Sequence, residues 1–212
     1  MEEFVIGPKY KEQAVRLLWL HENAKKGVGL DIGCADGSTL AMAMAQKREG
    51  NNVFYEEIKG MAGIDKDPSV EADFIRHHPR GKFLLMDVQK QEFPFPDDSF
   101  DTVLLCEILE HVIPFYTHKL IDEAYRISKG VVLITTPDGT PGPSYTADRV
   151  EAEEHSMVWT EEIFRNFLEP SEDMVRWYKL WDWAPKTEMK YKYELKKDGI
   201  FIFVKLFKER KK

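Results

Sequence analysis

The sequence predicts an α/β fold: a doubly wound, mostly parallel seven-stranded sheet with an antiparallel C-terminal edge hairpin. Three observations lead there. Short apolar runs suited to buried strands alternate with helical patterns from residue 28 to residue 137, the order that builds a parallel sheet covered on both faces. A glycine turn, "GCADG", joins the first such run directly to the first helical pattern of the series. The last two apolar runs flank "KKDG", a turn sequence that pairs its neighbours antiparallel.

Taken in order, residues 9 to 25 place Ala14, Leu17, Leu18 and His21 at helical spacing, with Gly27 as a stop, which reads as an amphipathic helix ahead of the core. "VGLDI" is a buried strand and "DGSTLAMAMAQKR" the helix after the turn. There follow "MAGID" (strand), "DPSVEADFIRHH" (helix), "KFLLMDV" and "DTVLLCEI" (strands), "FYTHKLIDEAYRIS" (helix) and "GVVLITTP" (strand). The texture then changes to "PDGTPGPSYTADRVEAEEHS", a long irregular loop of the kind that serves as a lid. A helix is expected near 160 to 169, then strands in "MVRWYKLWDW", "TEMKYKYEL" and "GIFIFVKLF".

At 212 residues one domain with a substantial core is expected. Its parts are an N-terminal helical cover (1–27), a ligand-binding core (28–137), and a lid loop with a substrate-side C-terminal part (138–212). Hydrophobic residues make up 43% and charged residues 32%, an ordinary globular composition. The net charge of -7 argues against affinity based on broad phosphate neutralisation. Cys34 and Cys106 are the only cysteines and match neither a zinc spacing nor a disulfide framework. With no signal-peptide pattern and no apolar run of membrane-spanning length, a reducing, cytoplasmic setting away from the membrane is expected.

The glycine turn narrows the ligand. A dinucleotide site asks for G-x-G-x-x-G at the helix start, whereas this chain has Gly33-x-Ala35-x-Gly37. Asp36 sits inside the turn and Asp31 just before it. Both would repel phosphate, so the turn favours a ligand without phosphates that carries positive charge.

Four motifs in order, "LDIGCADGS", "GIDKDP", "MDV" and "FPDDSFDTVLLCEILEHV", make residues 28 to 170 resemble the class I S-adenosylmethionine-dependent methyltransferases (type 11-like), which have a Rossmann-like fold. The resemblance implies an enzyme that uses S-adenosylmethionine, with Gly33, Ala35 and Gly37 admitting the methionine moiety and Asp31 near its ammonium. Asp65, with Lys66 beside it, would hold the ribose hydroxyls. Asp87 would meet the adenine amino group with Val88 beside the ring, and Cys106 and Glu107 would line the pocket near the transferred methyl. Ala35 stands where the family usually has glycine, and "REGNNVFYEEIK" (48–59) lengthens the connection from Gly37 to Asp65.

His111, His155 and Glu107 are the candidate catalytic residues, since a hydroxyl or protonated amine acceptor needs a base and imidazole titrates near neutrality. A small-molecule acceptor is the leading expectation and nucleic acid the less favoured partner. If Glu107, Glu110 and His111 share a helix, they converge on one face, and with His155 they could ligate a divalent cation. That set also resembles the metal-dependent 2′-O-methyltransferases of small-RNA 3′ ends. The expectation is nonetheless that no metal is bound. A non-catalytic S-adenosylmethionine-binding module is the third reading. His77 and His78 are read as exposed structural residues at a helix end, and Trp177, Tyr178, Trp181 and Trp183 as edge-strand packing.

Overall fold

The computed structural model describes residues 8–45, 60–139, 157–170 and 191–208. In chain order the elements are α1 (Pro8–Asn23), β1 (Gly29–Ile32), α2 (Ser38–Met44), β2 (Met61–Asp65), α3 (Glu71–His77), β3 (Lys82–Leu85), β4 (Phe100–Cys106), α4 (Pro114–Ile127), β5 (Ser128–Pro137), α5 (Glu161–Leu168), β6 (Lys192–Asp198) and β7 (Phe201–Phe207). Short 3-10 turns at Pro68–Val70 and Leu109–His111 complete them.

The seven strands form one sheet in the order β3-β2-β1-β4-β5-β7-β6. β1 to β5 pair in parallel, while β7 runs antiparallel to both β5 and β6. The order reverses at β1, whose neighbours are β2 and β4. This is where an open parallel sheet leaves a crevice at its strand ends.

The central strands are apolar on both faces because helices cover both. Leu30, Ile32, Ile64, Val103, Leu105, Val132 and Ile134 belong to one core cluster, with α4 and α5 supplying Leu120, Ile121, Phe164 and Leu168. Leu104, Val131 and Leu133 point the other way, toward Leu20 of α1 and Leu40, Ala43 and Met44 of α2. The period of two along each strand thus feeds two separate layers. Thr160 caps α5, its hydroxyl accepting the N–H of Ile163 at 3.2 Å, and the helix lays Phe164 against Trp159 with ring centroids 4.6 Å apart.

Three expectations need correction or lie elsewhere. The inward face of α1 is not the Ala14–Leu18 side: Leu18 is 57% exposed, while Leu20 is fully buried and Trp19 packs on Phe203. The polar Arg16 also turns inward, for a reason given below. Residues 107–111 are not a helix. Glu107 takes a left-handed backbone (φ 54) and only Leu109–His111 forms a single 3-10 turn, because Pro114 starts the true helix three residues later. The insertion 48–59, most of the expected lid, and the run 174–183 with Trp177, Tyr178, Trp181 and Trp183 lie outside the described residues. Among the described residues no helix is long and apolar enough to cross a membrane.

Candidate cofactor site at the carboxyl ends of the strands

The turn after β1 is built by residues that accept its geometry. Gly33 (φ 76) and Gly37 (φ 78) are left-handed, which costs glycine nothing. Ala35 is also left-handed (φ 43), at a cost of about 1–2 kcal/mol for a residue with a Cβ. Neighbours close in at both glycines. A Cβ on Gly33 would come within 2.7 Å of Ile108, and one on Gly37 within 2.7 Å of Phe74.

Most backbone donors of this turn are engaged within the protein. The N–H groups of Gly33 and Cys34 both donate to the carbonyl of Ile64, at 2.8 and 3.0 Å, and that of Gly37 to the carbonyl of Cys34. Ala35 N–H donates to Asp65 Oδ2 at 3.0 Å and Ser38 N–H to Asp36 Oδ1 at 2.9 Å. A phosphate cradle works by pointing free N–H groups at the anion. Here five of the six donors from Gly33 to Ser38 point elsewhere, three to the carbonyls of Ile64 and Cys34 and two to the carboxylates of Asp65 and Asp36.

Beneath the turn lies Asp31, 1% exposed. Its Oδ1 is buried without a hydrogen-bond partner among the described residues, and so is Nε of Arg16. Burial pushes the Asp31 carboxyl up to about 8, against the pull of Arg16. The repulsion of phosphate assigned to Asp31 from sequence is therefore weaker than expected near neutral pH, because much of that carboxyl is protonated. Arg16 reaches this place from α1, with its guanidinium 5.7 Å from the Phe201 ring centroid and Nη1 3.7 Å from Glu107 Oε1. Buried polar atoms are normally paired. An unpartnered carboxyl oxygen within electrostatic reach of an unpartnered guanidinium nitrogen suits a ligand carrying both an ammonium and a carboxylate.

The other expected ligands of the cofactor line the ends of β2, β3 and β4. Asp65 closes β2, its Oδ1 accepting the N–H of Asp67 at 3.0 Å. Each oxygen keeps a second lone pair for a hydroxyl donor. Lys66 follows it, exposed. Asp87, past β3, accepts Lys90 Nζ at 2.9 Å and the N–H of Gln89 at 3.0 Å. The bond from Lys90 holds that carboxyl below its ordinary range. Val88 is half-buried against the main core. Cys106 is buried at the end of β4, where burial raises its thiol and the neighbouring Asp31 carboxyl raises it further.

The acidic residues after β4 separate instead of converging. Thr135 donates its hydroxyl to Glu107 Oε1 at 2.9 Å, and Thr136 donates to Glu110 Oε2 at 3.1 Å. Burial raises the Glu107 carboxyl, and Arg16 opposes the rise. His111 lies half-buried on the 3-10 turn, with its N–H donating to the carbonyl of Ile108 at 3.0 Å. His155 falls outside the described residues. Among the described residues no group of three or more His, Cys, Asp or Glu side chains is placed to hold a metal ion.

Sequence reasoning missed Arg16 and the pair His77 and His78. Nothing in the spacing of α1 singles out Arg16 among the polar residues of the helix. His77 and His78 were read as exposed, but His78 is 7% exposed. Its Nε2 lies 2.9 Å from the carbonyl of Gly37, and Nδ1 of His77 lies 2.7 Å from that of Asp36.

A family model described as a methyltransferase domain matches residues 7–190. Solved structures with the same fold include a SAM-dependent methyltransferase from Aquifex aeolicus, at 14% identity, a TM-score of 0.60, and coverage of 94% of this chain and 93% of that one. An O-methyltransferase family protein from Burkholderia thailandensis aligns at 13% identity and a TM-score of 0.65, covering 95% of this chain and 57% of that one. The N-methyltransferase NodS from Bradyrhizobium japonicum WM9, solved with S-adenosyl-l-homocysteine, aligns at 14% identity and a TM-score of 0.56, covering 95% and 88%. No curated protein matches the chain in sequence.

Proposed function

The chain belongs to the methyltransferase-domain family and is an S-adenosylmethionine-dependent enzyme, and from that premise we propose that it methylates an oxygen or nitrogen of a small-molecule acceptor. The observation that carries the cofactor's placement is the pair of unpartnered buried atoms, Asp31 Oδ1 and Arg16 Nε. They match the ammonium and carboxylate of the methionine moiety, Asp31 because a bound ammonium draws its carboxyl back to the charged form and Arg16 by the geometry of a guanidinium. Asp65, with Lys66 beside it, takes the ribose hydroxyls. Asp87 takes the adenine amino group, and Val88 packs beside the ring. Gly33, Ala35, Gly37 and Cys106 shape the floor.

The bound cofactor supplies a methyl group on a sulfonium, open to in-line displacement. The protein's part is to hold donor and acceptor at near-attack distance and alignment. Arg16 and Asp31 fix one end of the donor while Asp65 fixes its middle. Glu107, oriented by Thr135 and Arg16, lines the acceptor side. His111 and His155 are the candidates to remove the acceptor's proton. Imidazole is the side chain suited to general-base work near neutral pH.

A small acceptor is favoured over RNA by the chain's net charge of -7. An acidic protein does not draw a phosphate backbone by broad charge neutralisation. The O-methyltransferase family protein and the N-methyltransferase among the similar solved structures are in keeping with this choice. We assign the enzyme to a reducing, cytoplasmic setting, supported by its two free buried thiols.

The test is transfer of a labelled methyl group from S-adenosylmethionine into a cell extract divided into small-molecule, RNA and protein fractions. Label in the small-molecule fraction supports the proposal. Label confined to RNA ending in a free 2′-hydroxyl would replace it with the RNA reading, and cofactor binding with no labelled product in any fraction would favour a binding module.

A further inference from the structure

Resting on the cofactor site proposed above, we propose that His77 and His78 are positioning residues that fasten the cofactor turn to α3. The two rings end adjacent residues of one helix terminus, yet reach two successive carbonyls of the turn, those of Asp36 and Gly37. A carbonyl only accepts, so each ring must donate: His77 from Nδ1 and His78 from Nε2. The pair therefore holds opposite tautomers, and each donor is fixed by its own partner.

The turn needs this outside support. It carries three left-handed residues, Gly33, Ala35 and Gly37, and the cost of Ala35 must be met by contacts elsewhere. On the sheet side the turn is held by the carbonyl of Ile64 and the carboxylate of Asp65. On the opposite side the two histidines complete the grip. Phe74 of α3 closes the space between, with its ring 4.8 Å from that of His78. A Cβ on Gly63 would meet Phe74 at 2.4 Å and the Cys34 sulfur at 2.6 Å. The helix, the turn and β2 are thus packed without room to shift independently.

Neither histidine is assigned a contact with the cofactor. Their effect is indirect: they keep the turn in the conformation in which it lies against the buried Asp31 and its Ala35 N–H engages Asp65. Losing either donor should raise the number of turn conformations and weaken binding by the fraction of time the turn is misplaced.

The experiment uses the full chain and reads two quantities: the dissociation constant of S-adenosylhomocysteine by calorimetry, and amide hydrogen exchange across residues 33–38 without ligand. Each of His77→Ala and His78→Leu should weaken binding about five- to tenfold, the effect of one lost hydrogen bond, and speed exchange in the turn. His77→Asn and His78→Gln place an amide nitrogen where the ring nitrogen was, and should restore both within about twofold, since the net worth of the bond is then kept. His77 is exposed, so its variants keep the test valid if His78→Leu lowers overall stability. Unchanged affinity in His77→Ala, or no rescue by His77→Asn, overturns the proposal. Failure of the unsubstituted protein to bind S-adenosylhomocysteine overturns the cofactor reading and the positioning role with it, while the exchange data separately decide whether the histidines hold the turn.

Discussion

The carboxylate of Asp65, last residue of β2, accepts the backbone N–H of Ala35 through Oδ2 at 3.0 Å, so the residue that reads as the ribose ligand also closes the glycine turn. Asp65→Ala removes both roles. It should weaken S-adenosylhomocysteine binding by about 1–3 kcal/mol, the cost of leaving buried donors without an acceptor. Calorimetry checks this, and an unchanged affinity with intact melting would reduce Asp65 to a turn former.

Asp31 should make the cofactor-free protein less stable as pH rises. Its carboxyl is raised to about 8 in the fold, against about 3.9 in an unfolded chain. Between those values the folded state keeps a proton that the unfolded state has released, so stability falls through that window. Asp31→Asn removes the dependence. Its melting temperature without ligand should exceed that of the unsubstituted protein at pH 7.5, while its affinity for S-adenosylhomocysteine drops about tenfold or more, as for a lost charged partner. Parallel melting curves from pH 5 to pH 8 would contradict this.

Arg16 should discriminate between ligands with and without the amino-acid end. Arg16→Met keeps an apolar stem against Phe201 but removes the guanidinium. S-adenosylhomocysteine should bind it about tenfold or more weakly, the range for a charge-assisted hydrogen bond, whereas 5′-methylthioadenosine, which lacks the amino-acid end, should bind both proteins alike. Equal losses for the two ligands would mean that Arg16 acts only by shaping α1.

Divalent cations should leave the fold's stability unchanged. A resident metal stabilises by mass action, so magnesium, manganese or cobalt added to metal-stripped protein would raise its melting temperature if Glu107, Glu110, His111 and His155 formed a site. The expected result is no rise. A rise abolished by Glu110→Gln and His155→Ala would establish the site and bring the RNA reading forward.

The sheet was legible in the sequence because its central strands, buried on both faces, read as unbroken apolar runs bounded by Gly, Asp and Pro. Even the edge hairpin announced itself through "KKDG". The turn and Asp65 were legible for a related reason: a left-handed backbone and a close approach restrict the residue type. Arg16 was not legible, since a helix of mixed polarity does not reveal which polar side chain finds a buried partner. The histidine pair was hidden because helix ends usually face water, and only the packing of α3 against the turn, through Phe74, turns His78 inward. The supposed helix through Glu107 failed on one backbone angle, φ 54 at Glu107, which no spacing rule anticipates.

The central claim is that the turn after β1 receives the amino-acid end of S-adenosylmethionine and not a pyrophosphate. Calorimetric titration of the purified protein with S-adenosylhomocysteine and, separately, with NAD tests it most directly. The account predicts saturable binding of S-adenosylhomocysteine at one site per chain and no measurable binding of NAD. Tight NAD binding with no response to S-adenosylhomocysteine would contradict it.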